Sequence, residues 1–362
     1  MSASPGTAIS RHSSTEPCAV GQGTTRHSHF DKRSVVVLPD GPDPVPTDEA
    51  PSWAIFSQNN FPRHATIWPN HGLHELDPGQ KPSQMSLSLA DPGTWVMLPS
   101  SLKREDGAPR FRIAFPRRLA TDAGTRHLVV SELGRGYEQP TRDLFERTFR
   151  PGDVFIDVGA HWGFFSLQAA THAAGVSVVA FEPDPTNASI LFTNVVENGL
   201  VNKIAVVSAA CGDTSDIAPL VANSTMMHSI RGVGLKPPFA RGPSKWVPVV
   251  TLDEALVRLP QVAGGRIVLK VDAEGFEPQV LAGAISTLRS GRVAMIVWEC
   301  GHAFADGPER VAMRHMVETL SAFGFRHLLP SQGHGGDGFR LFDADAKYTG
   351  NVVSAAATID PL

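Results

Sequence analysis

The sequence predicts a doubly wound α/β domain built on a mostly parallel sheet, on three observations. From about residue 138, apolar runs alternate with segments of helical spacing. The runs VFIDVGA (154–160), VSVVAFEP (176–183), KIAVVSAA (203–210), RIVLKVDA (266–273) and RVAMIVWEC (292–300) are nearly continuous in Val, Ile, Ala and Phe. Strands buried on both faces have that composition. Acids and glycines gather just after these runs, at the edge where ligands of open α/β sheets bind.

Taken in order, residues 1–50 are rich in Ser, Thr, Pro, Gly and His, with VVVL (35–38) the one apolar cluster. They read as a disordered tail. Residues 51–135 read as a small β-rich region, with strands WVMLP (95–99), FRIAF (111–115) and HLVVSEL (127–133) divided by turn signals such as DPG and EDGAP. PTRDLFERTF (140–149) places Leu144, Phe145 and Phe149 on one helical face. Helices are expected from 162 and from 184, then over 251–259, 277–288 and 309–324. The stretch 214–248 reads as long and irregular. FRHLL (325–329) and FRLFD (339–343) supply the last strands, which closes the main domain at 136–349 and leaves 350–362 as a C-terminal tail.

Composition excludes several classes. A formal net charge of −4 provides no strong field for nucleic acid or an anionic membrane, and neither a basic stripe nor a D/N-PP-Y/F motif is present. Cys18, Cys211 and Cys300 lie far apart with no CxxC pair, which argues against structural zinc or a disulfide framework and for a reducing compartment. No secretory signal and no membrane-spanning run is visible, so a cytoplasmic location is the default expectation. HGLH (71–74) reads as surface, and no metal is indicated, although a divalent ion remains possible.

After the first strand come Asp157, Gly159, Ala160 and Gly163. Small residues there let backbone approach a ligand, although many strand-to-helix turns need glycine for geometry alone. The dinucleotide fingerprint G-x-G-x-x-G requires its second glycine where this chain has His161, which weighs against a nicotinamide cofactor. After the second strand, Glu182 is placed either to accept both ribose hydroxyls or to favour a helix N-terminus. After the third, Asp213 either borders an adenine or caps a turn. After the fourth, Lys270, Asp272 and Glu274 crowd into an otherwise apolar strand end, where burial is costly unless they pair or reach a cleft. WEC (298–300) adds Glu299 at the same edge.

The succession DVGAHWG, FEPDP, TLDEAL, LKVDAEGFEPQVLAGA and IVWE resembles the FkbM family of S-adenosylmethionine-dependent methyltransferases, and GYEQP (136–140) ahead of RPGDVFIDVGA resembles that family's beginning. The resemblance covers roughly residues 136 to 325. It implies a class I, Rossmann-like methyltransferase fold with seven strands in the order 3-2-1-4-5-7-6, the seventh antiparallel. It implies S-adenosylmethionine as cofactor, held by Asp157, Gly159, Ala160 and Gly163 beside the methionine part, by Glu182 at the ribose and by Asp213 on the adenine side. It implies that Asp272 and Glu274 are signature acids at the cleft floor, and that the reaction is O-methylation of a hydroxyl on a sugar, glycan or small natural product.

Methyl transfer to an alcohol needs alignment and a destination for the hydroxyl proton. Asp272, Glu274 and His161 are the catalytic candidates, with His228 a further base; His161 reads equally as a solvent-facing residue. His228, Arg231, Lys236, Arg241, Lys245 and Trp246 make 214–248 either an acceptor-binding lid or a solvated loop. Two competing readings stand beside methyl transfer: a nicotinamide-dependent oxidoreductase on a similar sheet, and a non-catalytic binding module that retains the fold. The oligomeric state is not readable from the sequence.

Overall fold

The computed structural model describes residues 74–75, 95–222, 228–230, 244–301, 307–330 and 339–357. The expected tail at 1–50 lies outside the described residues. Strands β1 (His74–Glu75), β2 (Trp95–Pro99) and β3 (Arg112–Pro116) form a three-stranded sheet, with β2 parallel to β1 and antiparallel to β3. HLVVSEL, expected as a strand, belongs instead to helix α1 (Ala123–Leu133). Its buried residues Thr125, Leu128, Val129 and Glu132 follow helical spacing, and the adjacent exposed Val130 supplies the β-branched run that imitates a strand. Asp122 starts the helix by accepting the N–H groups of Gly124 and Thr125. Helix α2 (Gln139–Thr148) buries Leu144 and Phe145, as its spacing predicts.

The main domain then alternates: β4 (Val154–Val158), α3 (Phe164–Ala170), β5 (Ser177–Phe181), α4 (Pro185–Glu197) and β6 (Ile204–Val207). Four short strands interrupt the alternation, β7 (Ala210–Cys211), β8 (Asp216–Ala222), β9 (His228–Ile230) and β10 (Ser244–Val250), followed by α5 (Leu252–Arg258). The chain continues through β11 (Ile267–Val271), α6 (Glu277–Ala282), α7 (Ile285–Arg289), β12 (Val293–Cys300), α8 (Gly307–Ala322), β13 (Phe325–Pro330), β14 (Phe339–Leu341) and β15 (Gly350–Ala356).

The principal sheet has eight strands in the order β14-β13-β15-β12-β11-β4-β5-β6. Strands β12, β11, β4, β5 and β6 are mutually parallel, and β15 runs antiparallel to both β12 and β13. Without the extra edge strand β14, this is the expected 3-2-1-4-5-7-6 order of a class I methyltransferase. Strand order reverses between β4 and β11, which opens a crevice at their carboxyl ends.

Three expectations are corrected. The seventh, antiparallel strand is residues 350–356, not FRLFD, so the domain does not close at 349 and these residues are no tail. The segment is short and carries a polar Ser354 in its centre, which masks it as a strand. In place that hydroxyl accepts from Trp298 Nε1 at 3.0 Å and lies 2.8 Å from His327 Nδ1. Secondly, 214–248 is not irregular throughout: β8, β9 and β10 join β7 in a second, four-stranded sheet. The period-2 pattern is there, Ala218 and Leu220 inward with Val247 and Val249, but Pro219 and Pro248 read as breakers. Thirdly, the boundary at 135 divides no core. Val96, Leu98, Phe111, Ile113 and Phe115 join one cluster with Phe155, Trp162 and Leu191. Phe115 stacks on Trp162 at 5.4 Å, and Asn194 of α4 accepts from Ala114 N–H while donating to the Trp162 carbonyl. Burying each of these large apolar side chains contributes roughly 1.5–3 kcal/mol.

Candidate active site

A cavity of about 280 Å³ lies at the carboxyl ends of β4, β5, β11 and β12. Ile113, His127 and Leu128 from the N-terminal region form one wall, and Leu220 and Ile230 from the second sheet line another part. Six carboxylates, Glu138, Asp157, Glu182, Asp272, Glu274 and Glu299, share the lining with one lysine, Lys270.

Asp157 ends β4 almost fully buried, at 1% exposure. Its Oδ2 accepts from Ser166 Oγ at 2.6 Å, while Oδ1 is buried without a hydrogen-bond partner. Burial raises its pKa against the pull of Lys270 and Ser166. Gly159 follows with φ +79°, and a Cβ there would stand 1.8 Å from the Asp272 carbonyl oxygen. The glycine is therefore required by the crossing of two backbones, β4's loop over β11's end, rather than by a ligand. Gly163 likewise faces Leu191 Cδ1 at 2.3 Å. Four of the loop's N–H groups are spent internally. Those of Gly159 and Ala160 go to the Phe181 carbonyl, that of His161 to Glu182 Oε2, and that of Gly163 to Ala160. These groups do not form the N–H cradle that a pyrophosphate requires.

Glu182, at 3% exposure just past β5, accepts from His161 N–H and Asp184 N–H, both at 2.8 Å. Burial outweighs those bonds and raises its pKa to about 8. His161 does not point to open solvent: it is half-buried, lines the cavity and stacks on Trp162 with ring centres 4.6 Å apart.

The carboxylate cluster is built at the ends of β11 and β12. Register sets Lys270 opposite Asp157 and next to Val297. Lys270 Nζ donates to Asp272 Oδ2 at 2.8 Å and lies over the Phe165 ring at 4.9 Å. Burial disfavours its charge, but Asp272, Glu138 and Asp157 outweigh burial and raise its pKa. Burial likewise opposes ionisation of Asp272, yet Lys270 and the neighbouring Glu299 hydrogen bond win and hold it below the usual carboxylate range. Burial and the Asp272 charge push Glu274 up to about 8. The Asp272 charge, with burial, pushes Glu299 up to about 10. Glu138, Glu274 and His161 are the non-glycine residues with positive φ among the described residues, and all three line this cavity. Backbone strain is thus concentrated at the site.

The structure brings together Asp157, Gly159, Ala160, His161, Glu182, Asp272 and Glu274. It does not bring Asp213 there. That residue is exposed outside the cavity, and Ala209, Ala210 and Cys211 occupy the wall where it was expected. His228 lies on β9 with its side chain outside the described residues, as are Arg231, Lys236 and Arg241. Lys245 pairs with Asp184 at 2.5 Å, and Trp246 is exposed. Glu299 carried a visible signal, an acid at a strand end. Tyr137 and Glu138 lie in GYEQP, which the resemblance included without assigning them a role; β15 fixes Glu138 from far along the chain through Asn351 Nδ2 at 2.9 Å.

Residues 157–327 match the family model described as the methyltransferase FkbM domain. The chain is 32% identical over 203 residues to the 31-O-demethyl-FK506 methyltransferase FkbM of Streptomyces tacrolimicus, covering 49% of this chain and 74% of that protein. It is 30% identical over 174 residues to the hexuronic acid methyltransferase AglP of Haloferax volcanii, covering 46% of this chain and 64% of that protein. Among solved structures, an O-methyltransferase from Bacillus cereus in complex with SAH is 12% identical at a TM-score of 0.36, covering 60% of this chain and 80% of that one. Identity to the Streptomyces protein across most of its length, with the family match, assigns the chain: it belongs to the FkbM family of methyltransferases.

Proposed function

We propose that the protein is an S-adenosylmethionine-dependent O-methyltransferase acting on a hydroxyl of a sugar, glycan or small natural product. The observation that carries this reading is the cavity's lining: six carboxyl groups, with Asp272 held ionised by Lys270, gather beside a glycine loop most of whose N–H groups are already engaged. Such a lining suits a cationic adenosyl ligand and disfavours the pyrophosphate of a nicotinamide dinucleotide. The acceptor class is supported by two relatives whose names specify 31-O-demethyl-FK506 and hexuronic acid as what they methylate.

The residues fit the cofactor. Glu182 is the acceptor for its ribose hydroxyls, and the unpartnered Asp157 Oδ1 for its ammonium group. When bound, S-adenosylmethionine supplies a methyl group already activated on a sulfonium, so the chain's task is alignment and proton removal. Tyr137, Ile113 and Leu128 exclude water from the acceptor side. Asp272, held ionised by Lys270, accepts the acceptor's hydroxyl hydrogen, and Glu274 flanks it. His161 orients the loop through its N–H bond to Glu182 and lines the cavity beside Trp162.

Calorimetric titration of the full chain with S-adenosylmethionine and with NAD tests the reading. Saturable heat with the first alone is expected; binding of NAD instead would replace it with the oxidoreductase alternative. Incubation with methyl-labelled cofactor and hydroxylated acceptors should transfer label. Tight cofactor binding without transfer to any hydroxyl compound would favour a binding module.

A further inference from the structure

We propose that the acceptor is an uncharged hydroxyl compound with an apolar face, selected by a wall of Ile113, His127, Leu128 and Tyr137 at the end of the cavity that holds Asp272. This substrate class rests on the methyl-transfer reading and narrows it.

The wall has the chemistry of an apolar ligand surface. Ile113 comes from β3, His127 and Leu128 from α1, and Tyr137 from the turn between α1 and α2. Tyr137 packs edge-on against Phe164 with ring centres 5.2 Å apart, and His127 packs edge-on against Tyr137 at 5.9 Å. The Tyr137 hydroxyl is bonded to Glu138, so its ring is what it presents. The charges of Asp272 and Glu299 act on Tyr137, which places the wall beside them, whereas Glu182 at the ribose end is acted on by Asp184, His161 and Asn187. Aromatic and aliphatic side chains next to a few polar groups hold a ligand's apolar face and leave its polar groups to fix orientation. All four wall residues precede residue 157, where the family match begins, so selection is carried outside the matched segment.

A second observation concerns charge. Among the described residues no arginine and one lysine line the cavity, and Lys270 Nζ already donates to Asp272 Oδ2 at 2.8 Å. The two lining histidines are engaged through their rings, His161 on Trp162 and His127 on Tyr137. A carboxylate or phosphate on the acceptor would give up its water for a place beside Asp272, with no fixed cation in return. The cavity's own acids meet the same opposition: the Asp272 charge and burial push Glu299 up to about 10, and burial and the Asp272 charge push Glu274 up to about 8. A hydroxyl carries no such penalty. The hexuronic acid named for one relative is therefore the kind of acceptor that this cavity disfavours.

The test titrates the full chain, without methyl donor, by ligand-observed NMR. Three probes are compared: phenyl β-D-glucoside; phenyl β-D-glucuronide, in which a carboxylate replaces the hydroxymethyl group; and methyl β-D-glucoside, which lacks the apolar ring. The phenyl glucoside should bind about tenfold or more tightly than either of the others. His127 is exposed at the rim, so its substitution leaves the core intact. His127→Ala should reduce the preference for phenyl over methyl glucoside severalfold, and His127→Phe should keep it, which separates the ring from the imidazole charge. His127→Arg should raise affinity for the glucuronide by supplying the missing cation. Binding of the glucuronide as tightly as the glucoside, equal binding of phenyl and methyl glucosides, no binding of any probe, or a preference unmoved in His127→Ala overturns the inference. S-adenosylmethionine is titrated separately. The expected order of probes without S-adenosylmethionine binding would discard methyl transfer and leave the wall as a ligand surface; S-adenosylmethionine binding with another order would discard the wall and leave methyl transfer.

Discussion

At the scale of single residues, the site is held by groups whose environments differ sharply over short distances. Gly159 shows the distinction between a ligand-driven and a backbone-driven glycine. Gly159→Ala would drive a Cβ into the Asp272 carbonyl at a φ that Ala avoids, and should cost about 3 kcal/mol or more by urea unfolding. Glu182 gives a pH dependence with a defined sign. Its raised pKa leaves it protonated below about 8 in the free chain, and the ionised form is the better acceptor for ribose hydroxyls. Cofactor affinity should therefore rise as pH passes upward through about 8, and the dependence should flatten in Glu182→Gln; calorimetry across that range decides it. Glu274 combines a raised pKa with positive φ. Glu274→Gly should gain about 1 kcal/mol of stability and lose turnover, read by melting temperature beside a methyl-transfer assay. Acids at strand ends were visible in the sequence because charge in an apolar run is conspicuous. Glu138 was visible only as part of GYEQP; its place in the cavity was not, since it depends on Asn351 in a strand more than two hundred positions later.

At the scale of elements, the parallel strands were legible because double burial leaves an unbroken apolar run, as in β4 and β11. The misread segments share one cause: the local pattern was overruled by a distant partner. Val129 and Val130 imitate a strand until Asp122 caps a helix. Pro219 and Pro248 imitate breaks until β8 and β10 pair across them. Ser354 imitates a polar tail until Trp298 and His327 satisfy it. Ending the chain after residue 349 removes β15 and exposes the facing edges of β12 and β13. That chain should fail to fold, seen as loss of a cooperative thermal transition, whereas a tail would have been dispensable.

At the scale of the whole molecule, the family match starts at residue 157, but the physical unit starts earlier. The sheet of β2 and β3 and helix α1 cover Trp162 and Phe164 and supply one wall of the cavity. A chain beginning at residue 136 should therefore be insoluble or molten, with strong binding of a hydrophobic dye, despite keeping the whole of the matched segment. No local periodicity announces this dependence, because which apolar face meets which is decided only in three dimensions. The position of β15 carries a last consequence, for biosynthesis. It is translated after every strand it joins, yet it lies between β12 and β13. While the ribosome is still extending the polypeptide, those two neighbours wait with open ladders, so the sheet closes only once the last residues have been made.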